Sequence, residues 1–404
     1  MSHEKVRLGI VGTGNIARSH LNGYKILKDA GYDSFEICAL CDNSDERRTA
    51  YAEAVKDLFG LTPPQFSSVE DLVAAGVVDA VDNCTPHAFH HATTIPCLEA
   101  GLHVMVEKPG GITLKASELI QGAQRRTGKI VAVAEQVRRG IKARTMKWAL
   151  TQAKMIGELR FFIVEGFSFE DYAQPGYSEV YLWQWRLLKL MSGGGMALDA
   201  GAHMADMIRY LFGDVRDVYC RTAGFQTPTI NSPELGPMPM DVEDTWFATL
   251  GFESGLVGTW SWSFSARGER QSNQVFYGSE GSARDRGGWM HPFQAGGDIT
   301  RLDGSVLPYE DIEREYRASL DSVTRERLYP YGVEDDIALE CWDFIDAIQK
   351  QRPPEVDIAE VMRAKAICLA MYESAASGDA IRVRDVLDGK VRRYQDGINA
   401  YWGI

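Results

Sequence analysis

The 404-residue chain lacks any apolar run of the roughly 18 residues that a membrane-spanning helix needs. It also lacks a basic excess: 43 Lys and Arg stand against 56 Asp and Glu, a net charge of −13. That balance argues against non-specific attraction to phosphate backbones or anionic lipid, so neither a nucleic-acid nor a membrane partner is expected. Cysteine is sparse and odd in number. Cys38, Cys41, Cys84, Cys97, Cys220, Cys341 and Cys368 are scattered, which excludes a disulfide framework and reads as reduced thiols. Cys38 and Cys41 form a CxxC, but they lie in and beside the apolar run Ile37–Leu40 and read as packing residues. No internal repeat or low-complexity tract is present. The start carries Glu4, Lys5 and Arg7 and runs straight into an apolar strand, leaving no room for a signal peptide; a cytoplasmic location is expected.

What is present is ordinary globular composition, 45% hydrophobic and 25% charged, enough for a core in each of two domains. The expected division is a dinucleotide-binding domain over 1–136 and a substrate-binding, oligomer-forming domain over 137–404. In the first third, short apolar runs at Val6–Val11, Phe35–Cys41, Val77–Cys84, His103–Val106 and Ile130–Ala134 alternate with helical stretches near 16–30, 90–100 and 114–126. Ser44 is placed to cap a further helix. Parallel strands with helical crossovers predict a doubly wound α/β domain of about six strands.

After Ala134 the pattern changes. A helix is predicted from 139 to 153, then strands at 158–169, 218–225, 245–252, 256–264 and 273–277, with Ser254-Gly255 as a hairpin turn. Helices are predicted at 196–212, 335–349 and 358–377, and the four-proline stretch 227–240 as a loop or flap. Strands in succession imply an α+β domain with a large, mostly antiparallel open sheet.

Three motifs carry chemistry. Gly12-Thr13-Gly14-Asn15-Ile16-Ala17 is a GxGxxA turn that follows a strand and opens a helix. The first glycine permits the tight turn, the second close approach to a pyrophosphate, and the helix start supplies N–H groups and partial positive charge. Asp42 ends the next strand, where a carboxylate accepts from a ribose hydroxyl and repels a 2′-phosphate. NAD is therefore expected. NADP stays open because Arg47 and Arg48 stand one turn into the next helix.

Glu107-Lys108-Pro109 closes the apolar run His103–Val106, at the sheet edge where ligands bind. A lysine there can hold a hydroxyl and stabilise a developing alkoxide, although most lysines are simply solvated. Ser192-Gly193-Gly194-Gly195 precedes Asp199 and His203, which are four residues apart and share a face if helical. Three glycines in a row imply close backbone approach to something. A carboxylate beside an imidazole suits general-base removal of a hydroxyl proton; a cap, a salt bridge or a metal site are the competing readings. With one histidine and no further His or Cys nearby, no metal is expected. His90 is read as lining the site, His87 and His91 as surface residues.

With these motifs in hand, the chain resembles the Gfo/Idh/MocA oxidoreductase family. The likeness runs from GxGxxA at Gly12 through Thr85-Pro86 and Glu107-Lys108-Pro109. It continues through Trp185-Arg186, Asp199 and His203 to Tyr372-Glu373-Ser374-Ala375. The resemblance implies a Rossmann domain plus a second domain whose sheet often mediates dimers or tetramers. It implies Lys108 and His203 as a catalytic pair with Asp199 as the partner of His203, and Glu107 near the nicotinamide end of the cofactor. Asn15, Ile16, Thr85, Pro86 and His90 would join Gly12, Gly14 and Asp42 in holding the dinucleotide. Arg186 and Trp185 would meet substrate, with Gln136 and Arg138. Gly110-Gly111, Gln136 and Gly140 depart from the usual pattern and bear on substrate identity. The tail Asp385–Ile404, ending in Tyr401-Trp402, is an extra element expected at a subunit contact.

The expected activity is oxidation of a secondary hydroxyl of a sugar, glycoside or cyclitol, or the reverse reduction. Two alternatives are glycoside cleavage assisted by tightly bound NAD and a non-catalytic dinucleotide sensor, which would tend to lose the lysine and histidine retained here.

Overall fold

In the computed structural model, which describes residues 5–174 and 181–404, the chain divides into two compact units. One comprises Met1–Arg139 with Arg325–Met362, the other Gly140–Thr324 with Arg363–Ile404. The expected clean split after residue 136 is therefore corrected: a later segment returns to complete the first unit. Glu4, part of the charged start, lies outside the described residues. None of the described helices is long and apolar enough to cross a membrane.

The first unit holds a six-stranded parallel sheet in the order β3-β2-β1-β4-β5-β6. Its strands are β1 (Val6–Val11), β2 (Phe35–Cys41), β3 (Gln65–Phe66), β4 (Ala80–Asn83), β5 (His103–Glu107) and β6 (Val131–Ala134). The order reverses direction at β1, so β1 and β4 flank the switch point where a ligand is received. Helices α1 (Asn15–Asp29), α2 (Asp45–Phe59), α3 (Val69–Ala75), α4 (His90–Glu99) and α5 (Leu114–Thr127) are the crossovers. Their ends follow capping chemistry. Ser44, Ser68 and Thr113 accept from the backbone of Arg47, Asp71 and Ala116, while Gly60, Gly76 and Gly128 close helices in the left-handed region. The two-residue β3 and the helix α3 are too short for periodicity to reveal, and neither was foreseen.

The returning segment contributes the helix Asp336–Lys350, capped by Asp335, which packs on α1. Fully buried Arg139 ties it down, with Nη1 at 3.0 Å from Asp343 Oδ2 and 3.4 Å from Glu355 Oε2.

The second unit contains a nine-stranded sheet ordered β16-β15-β14-β13-β7-β12-β11-β8-β17. Its members are β7 (Leu159–Phe167), β8 (Val215–Ala223), β11 (Thr245–Phe252), β12 (Val257–Ser263), β13 (Gln271–Gly278), β14 (Gly281–Asp285), β15 (Gly297–Arg301), β16 (Val306–Leu307) and β17 (Ile381–Arg382). Every pairing is antiparallel except β12 with β7. Period-2 alternation sends Trp246 and Trp260 into the core edge-to-face, while Phe247 and Val257 face outward. The proline-rich 227–240 stretch is no loose flap: it pairs as a hairpin of β9 (Thr229–Ser232) and β10 (Gly236–Pro239). The expected single helix over 196–212 is two, Met196–Asp199 and Gly201–Phe212. The tail folds back on its own unit. Trp402 Nε1 donates to the Leu190 carbonyl at 2.6 Å, and Tyr394 stacks on Tyr372.

Candidate active site

In the first unit the glycine turn is built as its residues require. Gly12 has φ +81°, and a Cβ there would stand 2.9 Å from the backbone of Cys84 and Thr85. The turn thus nests against the end of β4, and no side-chain adjustment relieves that contact. Gly14 is the N-cap of α1, with no side-chain cap and no acidic residue in the first turn, and Asn15 is exposed while Ile16 is partly so. An uncapped helix start without a local carboxylate fits a pyrophosphate.

Asp42 sits beside this turn. Its Oδ2 accepts from Thr13 N at 2.8 Å and Thr13 Oγ1 at 3.0 Å, and its Oδ1 from Ser44 N at 2.8 Å and Arg47 Nη2 at 2.8 Å. Burial opposes its charge, but Arg47 and the two backbone donors hold its carboxyl below the usual range. Arg48 donates to the Asp42 carbonyl at 2.6 Å and also binds Asp45. Both arginines are thus engaged at Asp42, which fits a ribose diol here better than a 2′-phosphate.

Beyond β4, Thr85 and Pro86 are partly exposed. His90 is fully buried, with Nε2 2.8 Å from the Thr85 carbonyl and Nδ1 3.3 Å from Gly111 N. A carbonyl on one side and an N–H on the other select the Nε2–H tautomer, a strut joining two turns. His87 and His91 are buried too, which corrects their reading as surface residues.

Glu107 ends β5, and Lys108, partly exposed, follows it at the sheet's carboxyl edge with a cis bond to Pro109. Gly110 and Gly111 both have positive φ, and a Cβ on Gly110 would meet Ile358 at 2.9 Å, so the departure from the usual pattern has a packing cause. Gln136 is partly exposed; Arg138 is buried, with Nη2 4.0 Å from Glu360 Oε2.

Behind Glu107 lies a group that periodicity does not reveal. Fully buried His20 of α1 has Nδ1 2.9 Å from Asp82 Oδ2 and Nε2 3.1 Å from Glu107 Oε1, with Glu340 Oε1 at 3.5 Å. Tyr24 donates to Asp82 Oδ2 at 3.1 Å, and Cys84 Sγ lies 3.4 Å from Asp82 Oδ1. Burial alone would lower the His20 pKa, but Asp82, with Cys84, raises it well above the ordinary histidine value. Burial drives the Glu340 carboxyl well up, against the pull of His20 and Arg139.

In the second unit the predicted residues gather differently. Asp199 ends its short helix and accepts from Arg186 Nε at 2.9 Å, and the Arg186 guanidinium lies over the Trp185 ring at 4.3 Å. The expected substrate contacts thus join the expected carboxylate. The backbone tightens after it, His203 N donating to the Ala200 carbonyl, so the ideal i, i+4 spacing is altered. His203 is buried against His291, ring centroids 5.7 Å apart, edge to face. Asp285 accepts from Gly287, Gly288 and Phe293 N at 2.8, 2.7 and 2.6 Å and so shapes the loop that carries His291.

The glycine run is explained by what approaches it. Buried Glu243 accepts from Gly195 N at 3.0 Å, Ala197 N at 2.9 Å and Tyr372 Oη at 2.8 Å. A Cβ on Gly194 would meet Tyr372 Oη at 2.5 Å, and one on Gly195 the Glu243 carbonyl at 2.5 Å. SGGG correctly signals close approach; nothing local to Glu243 or Tyr372 identifies them as the partners. His20, Glu340 and His291 were likewise missed, because distant segments bring them to the motifs.

Comparison with known proteins gives the family and the fold. Residues 6–135 match the model of an oxidoreductase family with an NAD-binding Rossmann fold, and residues 144–284 that of the GFO/IDH/MocA C-terminal domain. The chain is 27% identical to D-glucoside 3-dehydrogenase of Escherichia coli (strain K12), over 70% of this chain and 78% of that protein. It is 25% identical to 1,5-anhydro-D-fructose reductase of Ensifer adhaerens, over 93% and 98%. Its fold is similar to that of the WlbA dehydrogenase from Bordetella pertussis, solved with NADH and UDP-GlcNAcA. The TM-score is 0.72 at 23% identity, covering 95% and 98% of the two chains.

Proposed function

We propose that this chain, which belongs to the Gfo/Idh/MocA oxidoreductase family, is a dehydrogenase oxidising a secondary hydroxyl of a sugar, glycoside or cyclitol to a ketone, or running the reverse. The observation that carries the reading is the pairing of an uncapped α1 start with Asp42 at the end of β2, in a chain that keeps both Lys108 and His203. Bound NAD would supply the hydride acceptor. His203 takes the hydroxyl proton, Asp199 and Arg186 orient its neighbourhood, and Lys108 holds the forming oxygen. The names of the relatives, which act on a glucoside and an anhydro-sugar, support this substrate class. The engagement of Arg47 and Arg48 at Asp42 supports NAD over NADP.

The test is purified protein with NAD and a panel of glycosides, free sugars and inositols, read as NADH absorbance. Lys108→Ala and His203→Ala each lower turnover by about a hundredfold or more, the usual loss for a general acid–base group. Unchanged rates in both variants would remove the mechanism, and bond cleavage without net NADH would replace simple oxidation by the redox-assisted route.

The outer face of the nine-stranded sheet, with exposed Phe161, Tyr219, Phe247 and Val257, is proposed as the contact between copies in a homodimer or homotetramer. Phe247→Arg should then sediment as a smaller species than the parent protein.

A further inference from the structure

The buried charge cluster behind the Glu107-Lys108-Pro109 turn does more than fill space. His20 is wholly enclosed, yet three carboxylates face it from three elements: Asp82 from β4, Glu107 from β5 and Glu340 from the helix Asp336–Lys350. The other titratable groups acting on the cluster are Tyr24 on α1, Cys84 after β4, Tyr51 on α2 and Cys341 beside Glu340, with Arg139 and Asp336 acting on Glu340. Enclosed charges persist only where paired. A ring cation donating from both nitrogens satisfies Asp82 and Glu107 together, whereas a neutral ring has one N–H and leaves one carboxylate facing a lone pair. Both Glu340 oxygens lack a hydrogen-bond partner, which a protonated, neutral carboxyl tolerates far better than an anion. Glu107 Oε1 is thereby taken, and Oε2 makes no hydrogen bond among the described residues, at the sheet edge beside Lys108.

We infer that His20, as an imidazolium clamped between Asp82 and Glu107 and backed by neutral Glu340, is a positioning residue. It fixes the Glu107 carboxylate so that its second oxygen is presented to the bound dinucleotide. The inference rests on the dehydrogenase reading for the identity of that ligand; the clamp itself does not.

Two measurements test it. Nitrogen-15 NMR of the histidine rings in the unliganded protein should show His20 still protonated at both nitrogens at pH 7 and losing its proton only well above the ordinary value near 6.5. In Glu107→Gln the His20 titration should move down, because an anion beside the cation has gone. A neutral His20 ring at pH 7, or a titration unmoved by Glu107→Gln, overturns the clamp. So does stoichiometric zinc uptake with loss of the ring N–H signals, since His20, Asp82 and Cys84 offer donor atoms within 4.8 Å of one another. Calorimetric titration with NAD then reads the positioning. His20→Gln and Glu107→Gln should each weaken binding about tenfold, and the double variant by no more than about twofold beyond either. Losses that multiply would mean that His20 does not act through Glu107. Neither readout needs substrate, so absence of turnover in the dehydrogenase assay leaves both intact. The ring titration also stands if His20→Gln does not fold.

Discussion

Two helices in this protein begin at glycine-rich turns, and the two turns do opposite things. At Gly12-Thr13-Gly14 the helix start is open, with no capping side chain and the Asp42 carboxylate set beside the turn on Thr13. At Gly193-Gly194-Gly195 the helix start is closed from within, because Glu243 has taken the amides of Gly195 and Ala197. One set of glycines leaves a helix start open, and the other makes room for the protein's own side chains. A glycine run before a helix is therefore an anion site only where no internal carboxylate has occupied it first.

The comparison can be broken most severely at Glu243. Glu243→Ala strands two amides and the Tyr372 hydroxyl in the interior, at about 1–3 kcal/mol for each unsatisfied group. It should lower unfolding free energy by about 3–5 kcal/mol in denaturant melts, with dinucleotide affinity of the folded fraction unchanged. A loss of NAD binding equal to the loss of stability would show that the two turns are not independent. Gly12→Ala should lower stability and also distort the turn, so that NAD affinity falls with it. A left-handed alanine costs about 1–2 kcal/mol and backbone crowding adds a similar amount. NAD binding measured by calorimetry should then fall roughly 30- to 100-fold.

Asp42→Asn is a finer probe. Loss of a charged acceptor is worth about 1.5 kcal/mol, so NAD should bind about tenfold more weakly while NADP changes less. Its pH signature has a definite sign. The folded Asp42 carboxyl lies below its unfolded value near 3.9, so its stabilisation is full above that value and disappears as pH falls through the folded one. Melts of the parent and Asp42→Asn proteins should accordingly converge in acid and diverge towards neutrality. The smallest change is expected for Arg47→Gln. It frees Asp42 from one partner and should shift the NAD-to-NADP affinity ratio by less than about fivefold.

Much of the first unit was legible because its signals are local. Val6–Val11 and Phe35–Cys41 are bounded as their apolar runs imply, and Gly12, Gly14 and Asp42 need only their neighbours in sequence to be read. The Asp199–His203 pair was legible as residue types but not as geometry, since its helix divides and Asp199 accepts from Arg186. The hairpin at 229–239 was hidden by four prolines, whose missing N–H groups make a strand pair a poor guess. Strands β14 to β16 are short and flanked by glycine, so alternation has too few residues to register.

By itself the sequence determined the strand–helix rhythm and the glycine turn that opens α1, because each depends on spacing within a few residues. Only the tertiary structure decided that Glu340 stands behind Glu107, that Glu243 occupies the second glycine turn and that His291 touches His203. Those are encounters between segments tens to hundreds of residues apart. No local periodicity encodes them; the pairing of buried polar groups and rings from distant segments does.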